Sequence, residues 1–330
     1  MSVRTTPWDD MKTPDFYSND FEFRKRYYNN KILSSPRSIY NYLDERVFGQ
    51  EAYKKAISTF IYKALKGINS EKVILIASES GSGKSYVASI LSEIVENFVI
   101  TDGASLVPQA YRGGNHVTTV LNKLDVDSNK PCFVVIDEFN RTLEKSVDSS
   151  SFNGSSILSE LLVLFDSTDA KINASTNEDK PFWVSPSKLF FILLGSFSNI
   201  TDQKSSTPIG FNANICYSDK SHRKQVTKEL VLNTLSEWPE LVGRISRIII
   251  NPNMDEKSYL KMLNNPKYSP ASKLEEELGI TIKISPKKMK QYAKDSFEAR
   301  TGVRGVKNAI LEELDEAIFN DPDIKEIFIR

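Results

Sequence analysis

The fold of this chain is decided by the stretch Val73-Ile-Leu-Ile-Ala-Ser-Glu-Ser-Gly-Ser-Gly-Lys84-Ser85, which runs from a short apolar strand through a glycine-rich turn into a helix. The helix is predicted because apolar residues recur at helical spacing over residues 87–95. Backbone N–H groups of such a turn bind phosphate together with the positive end of the helix dipole. In this pattern Lys84 reaches the outer phosphates, and the Ser85 hydroxyl coordinates Mg²⁺. The stretch therefore predicts a nucleoside triphosphate site with Mg²⁺.

A second apolar run, Cys132-Phe-Val-Val-Ile-Asp137-Glu138, ends in two carboxylates. In a parallel α/β sheet, ligands bind at the carboxyl ends of the strands. Asp137 is therefore expected in the Mg²⁺ shell, and Glu138 is expected to polarise the water that attacks the terminal phosphate. Because the two segments occur in this order and on these elements, the sequence predicts a site that hydrolyses the nucleotide.

The glycine-rich turn departs from the usual pattern Gly-x-x-x-x-Gly-Lys-[Ser/Thr] at its first position, which is Ser78. Gly81 and Gly83, the glycines nearest the phosphates, are present. Serine costs little in an ordinary backbone conformation, but it costs about 1–2 kcal/mol if φ is forced to be positive. The predicted nucleotide-binding turn comprises Gly81, Ser82, Gly83, Lys84, Ser85 and Tyr86.

The composition limits the classes of protein that the chain can represent. Its 330 residues are enough for one large α/β domain and one small domain. Lys+Arg and Asp+Glu both number 43, so the formal net charge is zero. A protein that binds nucleic acid through bulk charge is therefore not expected.

Cysteine usage and hydropathy predict the compartment. The two cysteines, Cys132 and Cys216, have no Cys-x-x-Cys partner, which argues against a disulfide framework or a zinc site and favours a reducing compartment. No apolar run reaches the roughly 18 residues of a membrane span, and the polar, acidic start does not resemble a signal peptide. We expect a cytoplasmic protein without a membrane partner.

Five apolar runs predict buried parallel strands separated by helices, as in an open α/β sheet. These runs are Val73–Ala77, Phe98–Thr101, Phe133–Ile136, Leu189–Leu194 and Arg247–Ile250. Helices are also expected from Ser35-Pro36 onward and up to about Leu65. Two long polar stretches, Asp166 to Ser187 and Ser198 to Arg223, interrupt the pattern, and loops of that length are usually functional or disordered.

The pattern becomes mostly helical after Asn251-Pro252, which indicates a smaller second domain. Helices are expected near residues 255–264, 270–278, 286–300 and 303–320, and short strands near 280–284 and 324–329. The predicted organisation is an extension over residues 1–34, a large domain over 35–250 and a small domain over 251–330. The extension mixes aromatics with the basic run Arg24-Lys-Arg-Tyr-Tyr28, and we expect it to pack on another surface or to be mobile.

Taken together, these elements resemble the AAA+ ATPases, and within them the ClpX-like unfoldases of the Clp/Hsp100 group. The resemblance covers about residues 35–330 and implies that the nucleotide is ATP, bound by a P-loop domain with a parallel five-stranded sheet. The segment from Ser35 to Gln50 resembles the part of these proteins that precedes the nucleotide site. The resemblance implies that Val47 and Phe48 flank the adenine.

A loop that grips substrate is implied by Ala110-Tyr-Arg-Gly113, which follows Asp102-Gly-Ala-Ser-Leu106. This is where the family carries its first pore loop, Gly-Tyr-Val-Gly. Tyr111 matches the aromatic residue that grips a translocating polypeptide. Arg112 replaces the aliphatic residue, and a ring of arginines would favour acidic or polar segments.

Three further segments resemble parts of the family's catalytic machinery. Leu189-Phe-Phe-Ile-Leu-Leu-Gly-Ser-Phe197 resembles the strand of sensor 1, where Ser196 is the candidate polar residue. Trp238-Pro-Glu-Leu-Val-Gly-Arg244 resembles the segment of the arginine finger, and Gly302-Val-Arg-Gly305 resembles sensor 2 with Arg304. Arginine suits both places because its planar, permanent charge meets phosphate oxygens with several donors. The resemblance implies that Arg244 acts in the site of a neighbouring subunit, in a ring that is hexameric in this family.

The tripeptide Ile209-Gly210-Phe211 lies in the second polar stretch, where ClpX-type rings carry a docking tripeptide for the ClpP peptidase. Exposed apolar side chains in a polar loop need a partner or a core, and the resemblance implies a ClpP-like peptidase. Other features depart from the family. We expect no amino-terminal zinc module, and Asn177-Glu-Asp-Lys180 stands where a basic Arg-Lys-His loop is expected. His116 and His222 carry no catalytic or ligand signature.

The sequence thus predicts an ATP-driven protein unfoldase that threads polypeptides through a ring pore, with or without a peptidase partner. Two alternatives stay open. Because of Ser78, the missing basic loop and Arg112, the chain could be a nucleotide-binding regulatory or scaffold subunit with weak or no hydrolysis. It could also be a motor without a protease, which dismantles protein or protein–DNA assemblies.

Overall fold

The computed structural model describes residues 28–108, 115–147, 153–166, 168–173, 182–197, 226–252, 254–299 and 301–330. Their centre is a parallel five-stranded sheet in the order β2-β3-β6-β1-β7. The strands are β1 (Val73–Ser78), β2 (Phe98–Asp102), β3 (Cys132–Asp137), β4 (Ile172–Asn173), β5 (Trp183–Val184), β6 (Leu189–Ser196), β7 (Arg247–Ile250), β8 (Thr281–Ile284) and β9 (Glu326–Ile329). All five predicted strands of the sheet are confirmed, with ends that differ by at most two residues.

Helices cover both faces of this sheet and form most of the C-terminal part. They are α1 (Pro36–Asp44), α2 (Glu51–Leu65), α3 (Lys84–Ile94), α4 (Val117–Leu121), α5 (Phe139–Val147), α6 (Asn153–Phe165), α7 (Lys228–Leu235), α8 (Pro239–Arg244), α9 (Glu256–Leu263), α10 (Pro270–Leu278), α11 (Pro286–Glu298) and α12 (Gly302–Asn320). The predicted helix start at Ser35-Pro36 is confirmed, because the Ser35 side chain caps α1 by accepting a hydrogen bond from the backbone N–H of Ser38. In the described part of the chain, no helix could span a lipid bilayer.

Strand β1 is buried on both faces, which explains its continuous apolar run. Val73, Leu75 and Ala77 belong to one core, which they share with α4 to α8. Ile74 and Ile76 point to the opposite core, which they share with α1 to α3. The glycine-rich turn therefore begins at the end of a strand that is fixed on both sides.

A third core lies in the C-terminal helical part, residues 254–299 and 301–330, where α9 to α12 pack around the short parallel pair β8 and β9. Val306, Ile310 and Leu314 of α12 are fully buried in it. This confirms the predicted change to a mostly helical pattern. Phe48, which precedes α2 in the chain, also packs against this third core.

Two regions of the structure contain features that the sequence alone did not define. The polar stretch Asp166 to Ser187 contains a small antiparallel hairpin that pairs Ile172 with Val184. This hairpin was not predicted because the stretch is mostly polar. It forms because Val184 is buried in the first core. The end of the predicted extension packs on the second core, where Ile32 is buried and the side-chain amide of Asn29 donates to the Glu93 carbonyl at 3.4 Å.

Candidate nucleotide site

The turn between β1 and α3, residues 79–83 (the P-loop), depends on glycine at two positions. Gly81 has φ +75°, and Gly83, the N-cap of α3, has φ +83°. Only glycine adopts this left-handed region without strain. The chain therefore turns sharply from the carboxyl end of a buried strand into the start of a helix, as a phosphate-binding loop requires.

Lys84 is buried among neutral oxygen atoms. Its Nζ donates to the Ser78 hydroxyl at 2.7 Å and to the Glu79 carbonyl at 2.9 Å, and the residue is only 7% exposed. Burial lowers the pKa of Lys84 to about 8, although Asp137 and Glu138 act in the opposite direction. A buried ammonium whose hydrogen-bond partners are neutral is suited to bind an anion. The site therefore fits the phosphates of a nucleotide.

Ser78, the departure from the usual P-loop pattern, is accommodated without backbone strain. It is the last residue of β1, where strand geometry places φ in the extended region, and it is fully buried. Its hydroxyl lies 2.6 Å from the Ser82 hydroxyl and accepts the hydrogen bond from Lys84. Ser78 therefore avoids the free-energy cost of a positive φ, and its hydroxyl accepts a hydrogen bond from Lys84.

Gln50 supports the P-loop from outside, a role that was not predicted from the sequence. Its side-chain amide donates to the Ser82 carbonyl at 2.7 Å, and a Cβ on Gly83 would lie 2.7 Å from the same amide nitrogen. Gln50 itself has φ +58°, directly after Gly49 with φ +63°. The Gly49-Gln50 pair was the available signal, since two consecutive left-handed residues turn the side chain of Gln50 toward the loop.

Asp137 and Glu138 lie at the carboxyl end of β3, on the same edge of the sheet as the P-loop. Glu138 has φ +50°, a conformation that costs a residue with a side chain about 1–3 kcal/mol. Its backbone N–H donates to a carboxylate oxygen of Asp137 at 2.9 Å, and its own carboxylate is exposed. Both carboxylates act on the pKa of Lys84. The structure therefore brings together Lys84, Asp137 and Glu138.

The oxygen donors beside the P-loop fit a magnesium ion. Mg²⁺ prefers hard oxygen ligands and usually takes one or two carboxylates together with substrate phosphates. Ser85 at the start of α3 and Asp137 supply one hydroxyl and one carboxylate. Within the described ranges, no cluster of three or more His, Cys, Asp or Glu residues could hold a metal by itself. The donor set thus suits an ion that arrives with a nucleotide.

The helical part closes directly on the P-loop. A Cβ built on Gly302, at the start of α12, would lie 2.2 Å from the Gly81 carbonyl oxygen, so the two backbones are in contact. Arg304 follows in the first turn of α12 and is exposed. Its charge contributes to lowering the pKa of Lys84, which places Arg304 within electrostatic range of the P-loop.

This contact makes a specific prediction about Gly302. Gly302→Ala should lower the free energy of unfolding and weaken ATP binding, because the added methyl group would clash with the P-loop. The matched control is Gly279→Ala, since Gly279 has a similar φ of +68° against +66° but no atom within 4 Å of a built Cβ. Both variants pay about 1–2 kcal/mol of left-handed strain. Urea unfolding and the Kd for a fluorescent ATP analogue measure the difference, and equal values for the two variants would refute the contact.

The residues predicted around the adenine lie where the two parts of the chain meet. The Val47 side chain is buried in the second core. The Phe48 ring packs edge-on against the Tyr268 ring of the helical part, with centroids 5.4 Å apart. The Tyr86 hydroxyl accepts a hydrogen bond from Lys273 of the helical part at 2.8 Å. Val47 thus has little surface available for contact with an adenine, whereas Phe48 and Tyr86 link the P-loop region to the helical part.

Ser196, the sensor 1 candidate, lies next to the P-loop. It ends β6 and stands opposite Ser78 in the register of β1 and β6. Its backbone N–H donates to the side chain of Asn140 at 2.9 Å, which ties the end of β6 to the start of α5 behind Glu138. The assignment of Ser196 to sensor 1 stays a prediction, and the side chain of Asn140 is a second polar group at the same place.

Arg244 lies away from the P-loop of its own chain. It ends α8, and two residues later the Ser246 N–H donates to the Val73 carbonyl at the start of β1. The P-loop follows the other end of β1, about 16 Å away along a strand of this length. Arg244 instead pairs with Asp166, with 3.0 Å between Nε and Oδ1, at a partly exposed position. Tyr111, Arg112, Ile209, Gly210 and Phe211 lie outside the described residues.

Comparisons with known proteins match this architecture. The model of the ATPase family associated with various cellular activities (AAA) matches residues 73–200, which contain both the P-loop and the Asp137-Glu138 pair. Three relatives are ATP-binding subunits ClpX of the ATP-dependent Clp protease. The protein of Treponema denticola is 23% identical over 89% of this chain and 79% of its own length. The ClpX 2 protein of Wolinella succinogenes is 26% identical (89% and 80%), and that of Borrelia duttonii is 24% identical (89% and 76%).

Proposed function

Because this chain is a ClpX-like AAA+ ATPase, we propose that it assembles with copies of itself into a ring and uses ATP hydrolysis to unfold or remodel polypeptides. The observation that carries the ATPase chemistry is the buried Lys84 with neutral partners, which lies on the same edge of the sheet as a strained Glu138 at the carboxyl end of β3. The finer proposal of protein unfolding rests on the resemblance to the ClpX-like unfoldases, and the relatives are named as ATP-binding subunits of the Clp protease.

In the proposed reaction, the P-loop backbone and Lys84 bind the phosphates of ATP. Ser85 and Asp137 would hold Mg²⁺, which would neutralise charge on the phosphates. Glu138 orients and polarises the attacking water. Arg244 of a neighbouring copy neutralises the charge that develops on the transferred phosphoryl group.

The contacts between the P-loop and the helical part suggest how hydrolysis becomes motion. Gly81 touches Gly302, and Arg304 follows on the same helix within range of Lys84. A phosphate group that binds or leaves would therefore change the balance of charge between the P-loop and the first turn of α12. Since one face of α12 packs in the third core, the helical part would move as one body. We propose that Tyr111 transmits this motion to a polypeptide in the ring.

Ser78 motivated the alternative of a regulatory subunit without hydrolysis. Its position in β1 and its hydrogen bond to Lys84 remove the conformational objection to a working P-loop. Ser78 is therefore compatible with ATP hydrolysis at this site.

The pore assignment is tested by Tyr111→Ala, with Tyr111→Phe as the control that keeps the aromatic ring. We expect the alanine variant to hydrolyse ATP at a near wild-type basal rate and to lose the unfolding of a tagged fluorescent protein. The phenylalanine variant should retain both activities. Unfolding retained by Tyr111→Ala would refute the pore assignment.

A peptidase partner is a separate part of the proposal, since Ile209-Gly210-Phe211 could dock on a ClpP-like peptidase. In a pull-down with such a peptidase, we expect the wild-type chain to bind and Phe211→Ala to lose binding. If both chains fail to bind while unfolding persists, the motor acts without a protease. If both bind equally, the docking tripeptide is wrongly assigned.

A further inference from the structure

An open groove of about 540 Å³ lies between α11 and α12 of the helical part, and the proposed ATPase chemistry does not use it. Four carboxylates line it, those of Asp295, Glu312, Glu313 and Glu316, against the single ammonium of Lys288. The net charge of the lining is therefore 1 − 4 = −3. We call this surface the acidic groove.

The charge of the acidic groove is only partly compensated within the helical part. Lys288 pairs with Glu313 at 2.8 Å. Glu312 and Glu316 are four residues apart on α12, where like charges destabilise a helix. A cation from outside the helical part would relieve this repulsion.

Tyr292 gives an independent sign that the groove receives a ligand. It lines the groove and is only 5% exposed, and its hydroxyl has no hydrogen-bond partner among the described residues. Burial, together with Glu313 and Glu312, raises the pKa of Tyr292 to about 12, so the hydroxyl is neutral. A buried hydroxyl without a partner costs about 1–3 kcal/mol. An incoming N–H donor would supply the missing bond.

These observations define the chemistry of the ligand. Carboxylates on two facing helices, with a tyrosine hydroxyl between them, match the N–H donors of arginine or lysine side chains. The Lys288 ammonium lies 5.4 Å from the centroid of the Tyr292 ring, so the hydroxyl is the part of this tyrosine left for a ligand.

We propose that the acidic groove binds the basic segment Arg24-Lys25-Arg26 of a second copy of this chain. The segment carries three positive charges, equal and opposite to the net charge of the groove, and aromatic residues Phe23 and Tyr27 flank it. The contact would join neighbouring copies through the helical part. It rests on the proposed function only in requiring that copies associate.

The first test measures binding of a labelled peptide of residues 21–30 to the full chain by fluorescence anisotropy, without nucleotide. The chain carries Arg24→Ala, Lys25→Ala and Arg26→Ala, so that its own segment does not compete. We expect saturable binding that Glu312→Gln with Glu316→Gln weakens about tenfold or more, and that high salt also weakens. Tyr292→Phe, which removes only the hydroxyl, should weaken binding by a smaller factor.

The matched control is Glu298→Gln with Asp315→Asn, which removes two carboxylates of the same helices outside the groove. Its affinity for the peptide should equal that of the chain with an intact groove. Equal weakening by the control pair and the groove pair, or no saturable binding, would overturn the proposal. ATP hydrolysis is not read in this assay, so a failure of the proposed function would not affect it.

The second test identifies the occupant as a second copy by charge exchange. One chain carries Glu312→Lys with Glu316→Lys, and the other carries Arg24→Glu, Lys25→Glu and Arg26→Glu. Sedimentation velocity should show that each chain alone associates less than the wild type and that an equimolar mixture associates again. No recovery in the mixture would overturn the assignment to a second copy.

Discussion

Glu138→Gln is expected to reduce kcat for ATP hydrolysis by about 10²–10⁴-fold, because the amide cannot draw a proton from the attacking water. Binding of ATP should be nearly unchanged, since the P-loop and Lys84 lie on other elements and glutamine has the same shape as glutamate. The measurements are steady-state phosphate release and the Kd for a fluorescent ATP analogue. A loss of kcat with retained binding is the result that assigns Glu138 to the chemical step.

The matched control for this substitution is Asp102→Asn. Asp102 also ends a strand of the sheet, β2, where it stands opposite Asp137 in register, and its side chain accepts a hydrogen bond from the Ala104 N–H at 2.9 Å. Asparagine can still accept that hydrogen bond, so kcat should stay close to that of the wild type. If Glu138→Gln turns over ATP as fast as Asp102→Asn, Glu138 is not the base.

Arg244→Ala is expected to lower kcat by as much as about 10³–10⁵-fold, the range measured for arginine fingers in other phosphoryl-transfer enzymes. Arg244→Lys should recover only part of this loss, because lysine keeps the charge but lacks the planar pair of donors. The bond to Asp166 is no obstacle to the proposed role, since a partly exposed ion pair contributes only about 0–1 kcal/mol.

Asp166→Asn is the control that separates the two partners of Arg244. It removes the pairing within the chain and leaves the guanidinium in place, so hydrolysis should persist. If Asp166→Asn loses as much activity as Arg244→Ala, the ion pair with Asp166 supports the fold, and Arg244 is not a finger. Thermal unfolding of both variants distinguishes these cases, because an exposed pair should shift Tm only slightly.

The sheet could be predicted from the sequence because its central strands β1, β3 and β6 are buried on both faces, and burial of this kind leaves continuous apolar runs such as Val73–Ala77. The P-loop could be predicted because Gly81 and Gly83 adopt conformations that require glycine. The effect of Ser78 could not be predicted, since it depended on whether φ is positive at that one residue. The hairpin of β4 and β5 was also missed, because its strands are only two residues long.

The contacts between residues that are far apart in the chain could not be predicted from the sequence. Gly302 was assigned only as part of the sensor 2 pattern, yet its backbone touches Gly81, more than 200 residues earlier in the chain. The support that Gln50 gives to the P-loop depends on the position of α2, whose Tyr53 hydroxyl donates to the Lys84 carbonyl at the start of α3. The acidic groove required knowing that α11 and α12 face each other, because its carboxylates come from both helices.

The central claim is that each ATP site is built from two copies of the chain, and a mixing experiment tests it most directly. Glu138→Gln chains keep Arg244, and Arg244→Ala chains keep Glu138, so each variant alone should be inactive. In an equimolar mixture, about a quarter of the sites would combine an intact Glu138 with an intact Arg244 from a neighbour. Steady-state ATP hydrolysis should therefore reappear on mixing. A mixture as inactive as the two variants alone, while both still assemble with each other, would contradict the claim.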